Sequence, residues 1–242
     1  MSHLPLAALG RSPRNAPVIC FGMGTSFRSA VSWGIPVTVV ELVPSVPQLF
    51  SYYYADADRV LASPGVEVVI DDGRRYLETT DKVFDVIVID PPPPLQAAAS
   101  SLLYSREFYQ LARKRLAADG VLQQWAPEGD ATVLIAMFEA LADVFAEVRA
   151  VRGLEFGLHL LASGRPLELR PAERLAARLP AAAARDLTEW GPAGGGSAFF
   201  AWIVNHEVPL ATFAALHEGV PPLQDDRPLN EYDALRRSSA WA

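Results

Sequence analysis

Apolar residues along this chain fall into short continuous runs, and between the runs they recur at helical spacing, so that strand-like and helix-like segments alternate. Val18-Ile19-Cys20-Phe21 leads into Gly22-Met23-Gly24 and an amphipathic stretch from about Ser26 to Trp33. Gly34 stops that helix, and Val37-Thr38-Val39-Val40-Glu41 follows as a second strand. Upstream, Ser12 to Pro17 is a turn-rich lead-in.

The alternation continues. Pro44-Ser45-Val46-Pro47 opens a helix whose aromatic cluster, Phe50 with Tyr52, Tyr53 and Tyr54, is better read as packing than as a ligand wall. Val66 to Ile70 is a third strand ending at Asp71-Asp72-Gly73, and Arg74 to Thr79 a short helix. Phe84 to Ile89, apolar at almost every position, reads as a fourth strand buried on both faces. It delivers Asp90 into Pro91-Pro92-Pro93-Pro94, a stiff segment with no backbone donors that would wall one side of that carboxylate.

Ser105 caps a helix reaching Leu116, Asp119-Gly120 ends it, and Val121 to Trp125 is a fifth strand. A helix over Ala131–Val144 and strands over Phe145–Val151 and Phe156–Leu161 complete the sheet, with the last strand open to antiparallel pairing. From Ser163 the pattern turns helical, over Glu173–Leu179, Ala181–Trp190 and Pro209–Glu218, with Gly191 to Gly196 as a flexible break. The fold class is therefore α/β, a Rossmann-like sheet of seven mostly parallel strands. We divide the chain into a lead-in (1–16), a nucleoside-binding catalytic domain (17–162) and a helical C-terminal subdomain with tail (163–242).

Composition narrows the function. Half of the 242 residues are apolar, which suffices for one large core, and the net charge of −7 disfavours nucleic acid, whose phosphates need a basic face. Cys20 is the single cysteine and the four histidines are scattered, so neither a disulfide nor a metal site is expected. Met1 to Pro17 lacks a signal-peptide pattern and no apolar run reaches membrane-spanning length, so a cytoplasmic location and no direct membrane span are expected.

Chemistry concentrates at the ends of the strands. Gly22 and Gly24 lack a Cβ and let the backbone turn and approach a ligand, while the helix start at Thr25-Ser26 offers free amides. Glu41 stands where a carboxylate can accept hydrogen bonds from both hydroxyls of a ribose. In a parallel sheet Glu41, Asp72 and Asp90 would face one crevice at the carboxyl ends.

The ordered set Gly22-Met23-Gly24-Thr25-Ser26-Phe27-Arg28, Val39-Val40-Glu41, Asp72-Gly73, Phe84 to Asp90 and Leu103-Tyr104-Ser105-Arg106-Glu107-Phe108-Tyr109 resembles the spermidine synthase family of polyamine aminopropyltransferases. Leu42 to Pro47, Asp90 to Pro94 and Asp226 to Tyr232 look most like a bacterial branch whose longer members carry a membrane-spanning part. The resemblance implies the fold of the S-adenosylmethionine-dependent methyltransferases. It implies decarboxylated S-adenosylmethionine as co-substrate, or S-adenosylmethionine itself, and a small putrescine-like amine as acceptor, with a homodimer as an option. Glu41 then resembles the ribose-binding acid, Asp72 with Gly73 the pair that reads the adenine amino group, Tyr104 a substrate contact, and Asp90 the acid that takes a proton from the attacking amine.

Three departures accompany the resemblance. The glycine loop of the family carries an acid where this chain has Met23, a second acid follows the catalytic one where this chain has Pro93, and the N-terminal β-rich segment is expected to be missing. Three readings stay open: aminopropyl transfer; methyl transfer, because Met23 makes room for the carboxylate of intact S-adenosylmethionine; and a nucleoside-binding relative without catalysis. Asp90-Pro91-Pro92 also resembles the Asp-Pro-Pro-aromatic loop of adenine methyltransferases, but Pro93 replaces the stacking ring.

Overall fold

The computed structural model describes residues 1–91, 95–127, 129–153, 157–189, 194–209, 214–215 and 219–231. In chain order these form α1 (His3–Ala8), β1 (Ala16–Ile19), α2 (Thr25–Val31), β2 (Val37–Glu41), α3 (Phe50–Tyr53), α4 (Ala57–Leu61), β3 (Val66–Ile70), α5 (Gly73–Thr79) and β4 (Phe84–Ile89). There follow α6 (Arg106–Arg115), β5 (Leu116–Ala126), α7 (Ala131–Ala142), β6 (Glu147–Arg152), β7 (Leu158–Ser163), α8 (Ala172–Ala177), α9 (Ala181–Glu189), α10 (Gly195–Asn205) and β8 (Glu207–Val208).

The strands make one sheet in the order β3-β2-β1-β4-β5-β7-β6-β8. β1 to β5 pair in parallel, and β7 enters antiparallel between β5 and β6. The sheet thus has eight strands rather than the expected seven, because Glu207 and Val208 of the C-terminal segment pair with Val151 and Ala150 at the far edge. Two further differences concern helices. Residues 3–8, inside the expected lead-in, form a buried helix, and Gly195 and Gly196, expected in a flexible break, open the eleven-residue α10. Glycine discourages a helix interior far more than a first turn, where no neighbouring turn crowds it. The expected helix over Pro209–Glu218 and the Pro92–Pro94 wall lie largely or wholly outside the described residues.

Period-2 alternation sorts the strand side chains onto two cores. Val18, Val39, Val86, Val88 and Leu161 face α1, α2 and the C-terminal helices, which contribute Leu6, Phe27, Leu175, Leu187 and Phe200. Ile19, Val40, Ile87, Ile89 and Leu160 face α5, α6 and α7, with Leu77, Phe108 and Met137. Residues after Ser163 thereby share the main core instead of building their own. Because crossovers run to opposite faces on either side of β1 and β4, the sheet leaves a crevice outside the carboxyl ends of that pair.

Candidate active site

The crevice is built from the turn after β1. Gly22 and Gly24 take φ of +54° and +85°, which side chains rarely adopt, and a Cβ on Gly24 would lie 2.4 Å from the Phe50 ring. A Cβ on Gly22 would meet nothing within 4 Å, so the outer side of this turn is open to a ligand. Met23 between them is 56% exposed.

Glu41, at the end of β2, is buried, and each carboxylate oxygen accepts one backbone amide, Oε2 from Phe21 (2.8 Å) and Oε1 from Val43 (2.9 Å). These bonds fix the turn after β1 against that after β2 and leave each oxygen a further lone pair. Asp72 caps α5 through the amide of Arg75 (2.9 Å). Gly73 starts α5 so close to β1 that a Cβ would lie 2.3 Å from Ile19 Cγ2, which is a packing reason for glycine there in addition to any ligand.

Asp90 leaves β4 with its amide bonded to the carbonyl of Ile19 (3.0 Å), which places its side chain directly beside the glycine turn. Its Oδ2 accepts the hydroxyl of Ser26, in the first turn of α2, at 2.7 Å. Burial raises the carboxyl above its ordinary range, and the Ser26 bond opposes that shift. Tyr104 is fully buried with an unpartnered hydroxyl, and burial raises its phenol, with Cys20 and Asp90 adding to the shift. Cys20, at the carboxyl end of β1 with φ +71°, has its thiol pushed up to about 12 by burial and the carboxylates of Glu41, Asp90 and Asp72, so it stays a protonated wall rather than a nucleophile.

From Asp90 a cleft of about 450 Å³ extends between α2, β5 and the C-terminal helices. Sequence reasoning missed several of its residues. Asp186 of α9 reaches it and accepts Arg28 Nη1 (2.6 Å), Ser29 Oγ (2.7 Å) and the His3 ring (2.8 Å). Trp33 Nε1 donates to His3 Nδ1 at 3.0 Å, so the other His3 nitrogen carries the proton toward Asp186. Burial lowers the pKa of both His3 and His159, which keeps these cleft imidazoles neutral. Tyr54, from the aromatic cluster, also lines the cleft, its hydroxyl 2.7 Å from Thr25 Oγ1. Only Ser26, in the first turn of the helix just after the glycines, was open to sequence reasoning; Asp186 stands 96 residues beyond Asp90 and nothing local marks it.

With these positions established, the sequence of the chain can be set beside known proteins. The family profile described as "Spermine/spermidine synthase domain" matches residues 1–151.

The chain belongs to the spermine/spermidine synthase domain family.

It is 30% identical over 150 residues to "Polyamine aminopropyltransferase 2" of Pseudomonas aeruginosa, covering 58% of this chain and 42% of that protein. It is 27% identical over 156 residues to "Polyamine aminopropyltransferase" of Thermoplasma acidophilum, covering 63% and 56%. The chain thus spans about half the length of the relatives it matches. Among solved structures, a spermidine synthase in complex with the transition state analogue AdoDATO superposes with a TM-score of 0.59 over 100% of this chain and 72% of that one, at 16% identity, a likeness of fold. The family-matched region contains Gly22, Gly24, Glu41, Asp72, Gly73, Asp90 and Tyr104, whereas Asp186 and the cleft wall from α9 and α10 lie beyond it. Among the described residues no helix is long and apolar enough to cross a membrane, and no group of three or more His, Cys, Asp and Glu side chains could hold a metal ion.

Proposed function

We propose that this chain transfers an aminopropyl group from decarboxylated S-adenosylmethionine to a small amine, with Asp90 as the base. The observation that carries the reading is Asp90 itself, a buried carboxylate of raised pKa held by Ser26 beside an open glycine turn and at the head of a cleft. The residues fit the nucleoside. Glu41 keeps lone pairs for the two ribose hydroxyls, the Gly22 turn leaves room for the chain that bears the sulfonium, and Asp72 with Gly73 stands at the adjacent strand end toward the adenine. The likeness to polyamine aminopropyltransferases, and to a spermidine synthase bound to the transition state analogue AdoDATO, supports the same transfer.

An ammonium has no lone pair and cannot attack carbon. Asp90 accepts the proton of the amine as its nitrogen forms a bond to the aminopropyl carbon; the carbon–sulfur bond breaks, its electron pair stays on sulfur, and neutral methylthioadenosine leaves. A raised carboxyl pKa brings the base closer to the proton it must take. Ser26 orients the carboxylate, and Cys20 and Tyr104 stay protonated, which makes both poor nucleophiles toward the sulfonium. Tyr104, with its unpartnered hydroxyl, is proposed as a substrate contact. The reading includes a small amine as the partner and a cytoplasmic location; the division at residues 16 and 162, and a homodimer, are open to proteolysis and sedimentation.

The test is release of methylthioadenosine from decarboxylated S-adenosylmethionine in the presence of a panel of amines. Asp90→Asn is expected to lower the rate by about 10²- to 10⁴-fold while methylthioadenosine still binds by calorimetry, and Glu41→Ala to lose that binding. Release of S-adenosylhomocysteine from S-adenosylmethionine with the same amines, and none of methylthioadenosine, would replace this reading with methyl transfer. Tight nucleoside binding with an unchanged rate in Asp90→Asn would point to a relative without catalysis.

A further inference from the structure

We propose that Asp186 is a specificity-determining anion of the acceptor site: Asp90 meets the attacking amine, and Asp186, one turn of α2 away, holds the far ammonium of a diamine. The inference rests on the transfer reading and names a residue of its acceptor site. Two serines of α2 carry the geometry. Ser26 and Ser29 stand at i and i+3, which puts them on one helix face about 5–6 Å apart at Cβ. Both line the cleft. Ser26 donates to Asp90 Oδ2 at 2.7 Å and Ser29 to Asp186 Oδ2 at 2.7 Å, so the two carboxylates are held one helical turn apart, a spacing that a four-carbon diamine spans. Asp186 comes from α9, beyond the family-matched residues 1–151, so the far pole of the site belongs to the C-terminal part of the chain.

The wall beside these poles accepts hydrogen bonds. Ser26 and Ser29 spend their protons on the carboxylates and keep lone pairs for the cleft, as do Thr25 and Tyr54, which bond each other at 2.7 Å. An ammonium, with donors only, suits such a wall. Three donors reach Asp186, Arg28 on Oδ1 and Ser29 and His3 on Oδ2, which leaves Oδ1 a lone pair for one more. Burial disfavours the charge of Asp186, but the His3, Ser29 and Arg28 contacts outweigh it and the carboxylate stays ionised. Arg28 does not cancel that charge, because Arg28 and Arg59 together face three carboxylates, Asp56, Asp186 and Glu189. Met1 lines the same cleft; burial lowers the pKa of its amino group, while Asp90 and Asp186 both favour its charged form. The two carboxylates therefore act on one position, and an alkylammonium, the stronger cation, takes it from the Met1 amine. Leu4, Leu187 and Ile203 complete the lining and meet the methylenes of the acceptor.

Butylamine and 1,4-diaminobutane titrated calorimetrically into the protein, with and without saturating methylthioadenosine, read the far pole independently of turnover. The diamine is expected to bind about 10- to 100-fold more tightly than the monoamine, the range of one hydrogen bond to a charged group. Asp186→Asn should remove that advantage while methylthioadenosine still binds, and should raise KM for the diamine more than it lowers kcat. Equal binding of the two amines by the unaltered protein, or an Asp186→Asn variant that weakens both alike, would overturn the proposal. If Asp186→Asn no longer binds methylthioadenosine, Ser29→Ala decides instead, since it keeps the carboxylate and its Arg28 pair. That variant should lower the advantage of the diamine about 2- to 10-fold, and an unmoved ratio overturns the proposal. Turnover of a diamine whose KM ignores both substitutions would leave the transfer reading without this site. A diamine preference lost in Asp186→Asn, with no methylthioadenosine formed by the unaltered protein, would keep the site and remove the transfer reading.

Discussion

Ser26 shows how one hydroxyl can set the working range of the site. Its bond to Asp90 favours the charged carboxylate, while burial disfavours it and wins, so the carboxyl titrates above the ordinary acid range. Because the base must be deprotonated, kcat/KM should rise with pH through this raised pKa, and the acid limb should lie above about 4. Ser26→Ala removes one of the two groups that oppose burial, the other being the amino group of Met1, so the limb is expected to move further up, with a rate near neutrality about 2- to 10-fold lower and an unaltered plateau at high pH. A pH–rate profile of the two proteins checks this; a limb that stays in place would mean that the hydroxyl only packs. Asp90 and Glu41 were legible in the sequence because an acid closing a strand-like apolar run is a local pattern. Asp186 and His3 were not, because their place in the cleft depends on how α9 packs on α2 and how α1 packs on β5 and α8.

At the scale of elements, the tail that follows β8 holds the loop after β4. Asn230, fully buried, donates from Nδ2 to the carbonyl of Leu95 (2.6 Å) and to Ser100 Oγ (2.8 Å), and Glu231 accepts the amide of Ser101 (3.1 Å). The amide of Leu223 meets the carbonyl of Ala136 in α7, and its carbonyl takes the amide of Arg106 at the start of α6. The loop after β4, α6 and α7 are thus tied by one strap. Asn230→Ala removes two buried hydrogen bonds, leaving the Leu95 carbonyl with Ser100 Oγ as its donor, and should cost roughly 1–3 kcal/mol of stability. It is also expected to lower transfer more than nucleoside binding, since Glu41 and the glycine turn make no contact with the strap; chemical denaturation and calorimetry on the same variant separate the two effects. In the sequence, this tail stood out only through its resemblance to a bacterial branch. Its partners, distant in sequence from Ala136 back to Leu95, become visible only in the fold.

Over the whole molecule, burial and ion pairing pull in the same direction on acid stability. The pKa values of His3 and His159 are lowered by burial. Those of Asp85, Asp119, Asp186 and Asp225 are lowered by guanidinium, imidazole or hydroxyl partners that outweigh desolvation. For each such group the unfolded chain binds more protons within the window between its folded and unfolded pKa, so stability is lost as pH falls through that window. Asp90 and Glu139 have the opposite sign, since a raised carboxyl favours the folded state at low pH. The histidines act first, below about 6.5, and the lowered carboxylates below about 4, so Tm should decline in two stages. Asp85 is the strongest contributor to the second. Its side chain is 1% exposed and takes Arg11 at 2.6 Å and Arg14 at 2.8 Å, with a third bond from the Arg14 amide. Both arginines are partly solvated, which screens the pair, so Asp85→Asn should cost on the order of 1–2 kcal/mol near neutrality. The same variant should flatten the limb below about pH 4 while leaving the upper stage in place. Calorimetric Tm values from pH 3 to 8 decide the matter: if Asp85→Asn keeps the full acid limb, the loss comes instead from the other paired carboxylates, Asp119, Asp186 and Asp225.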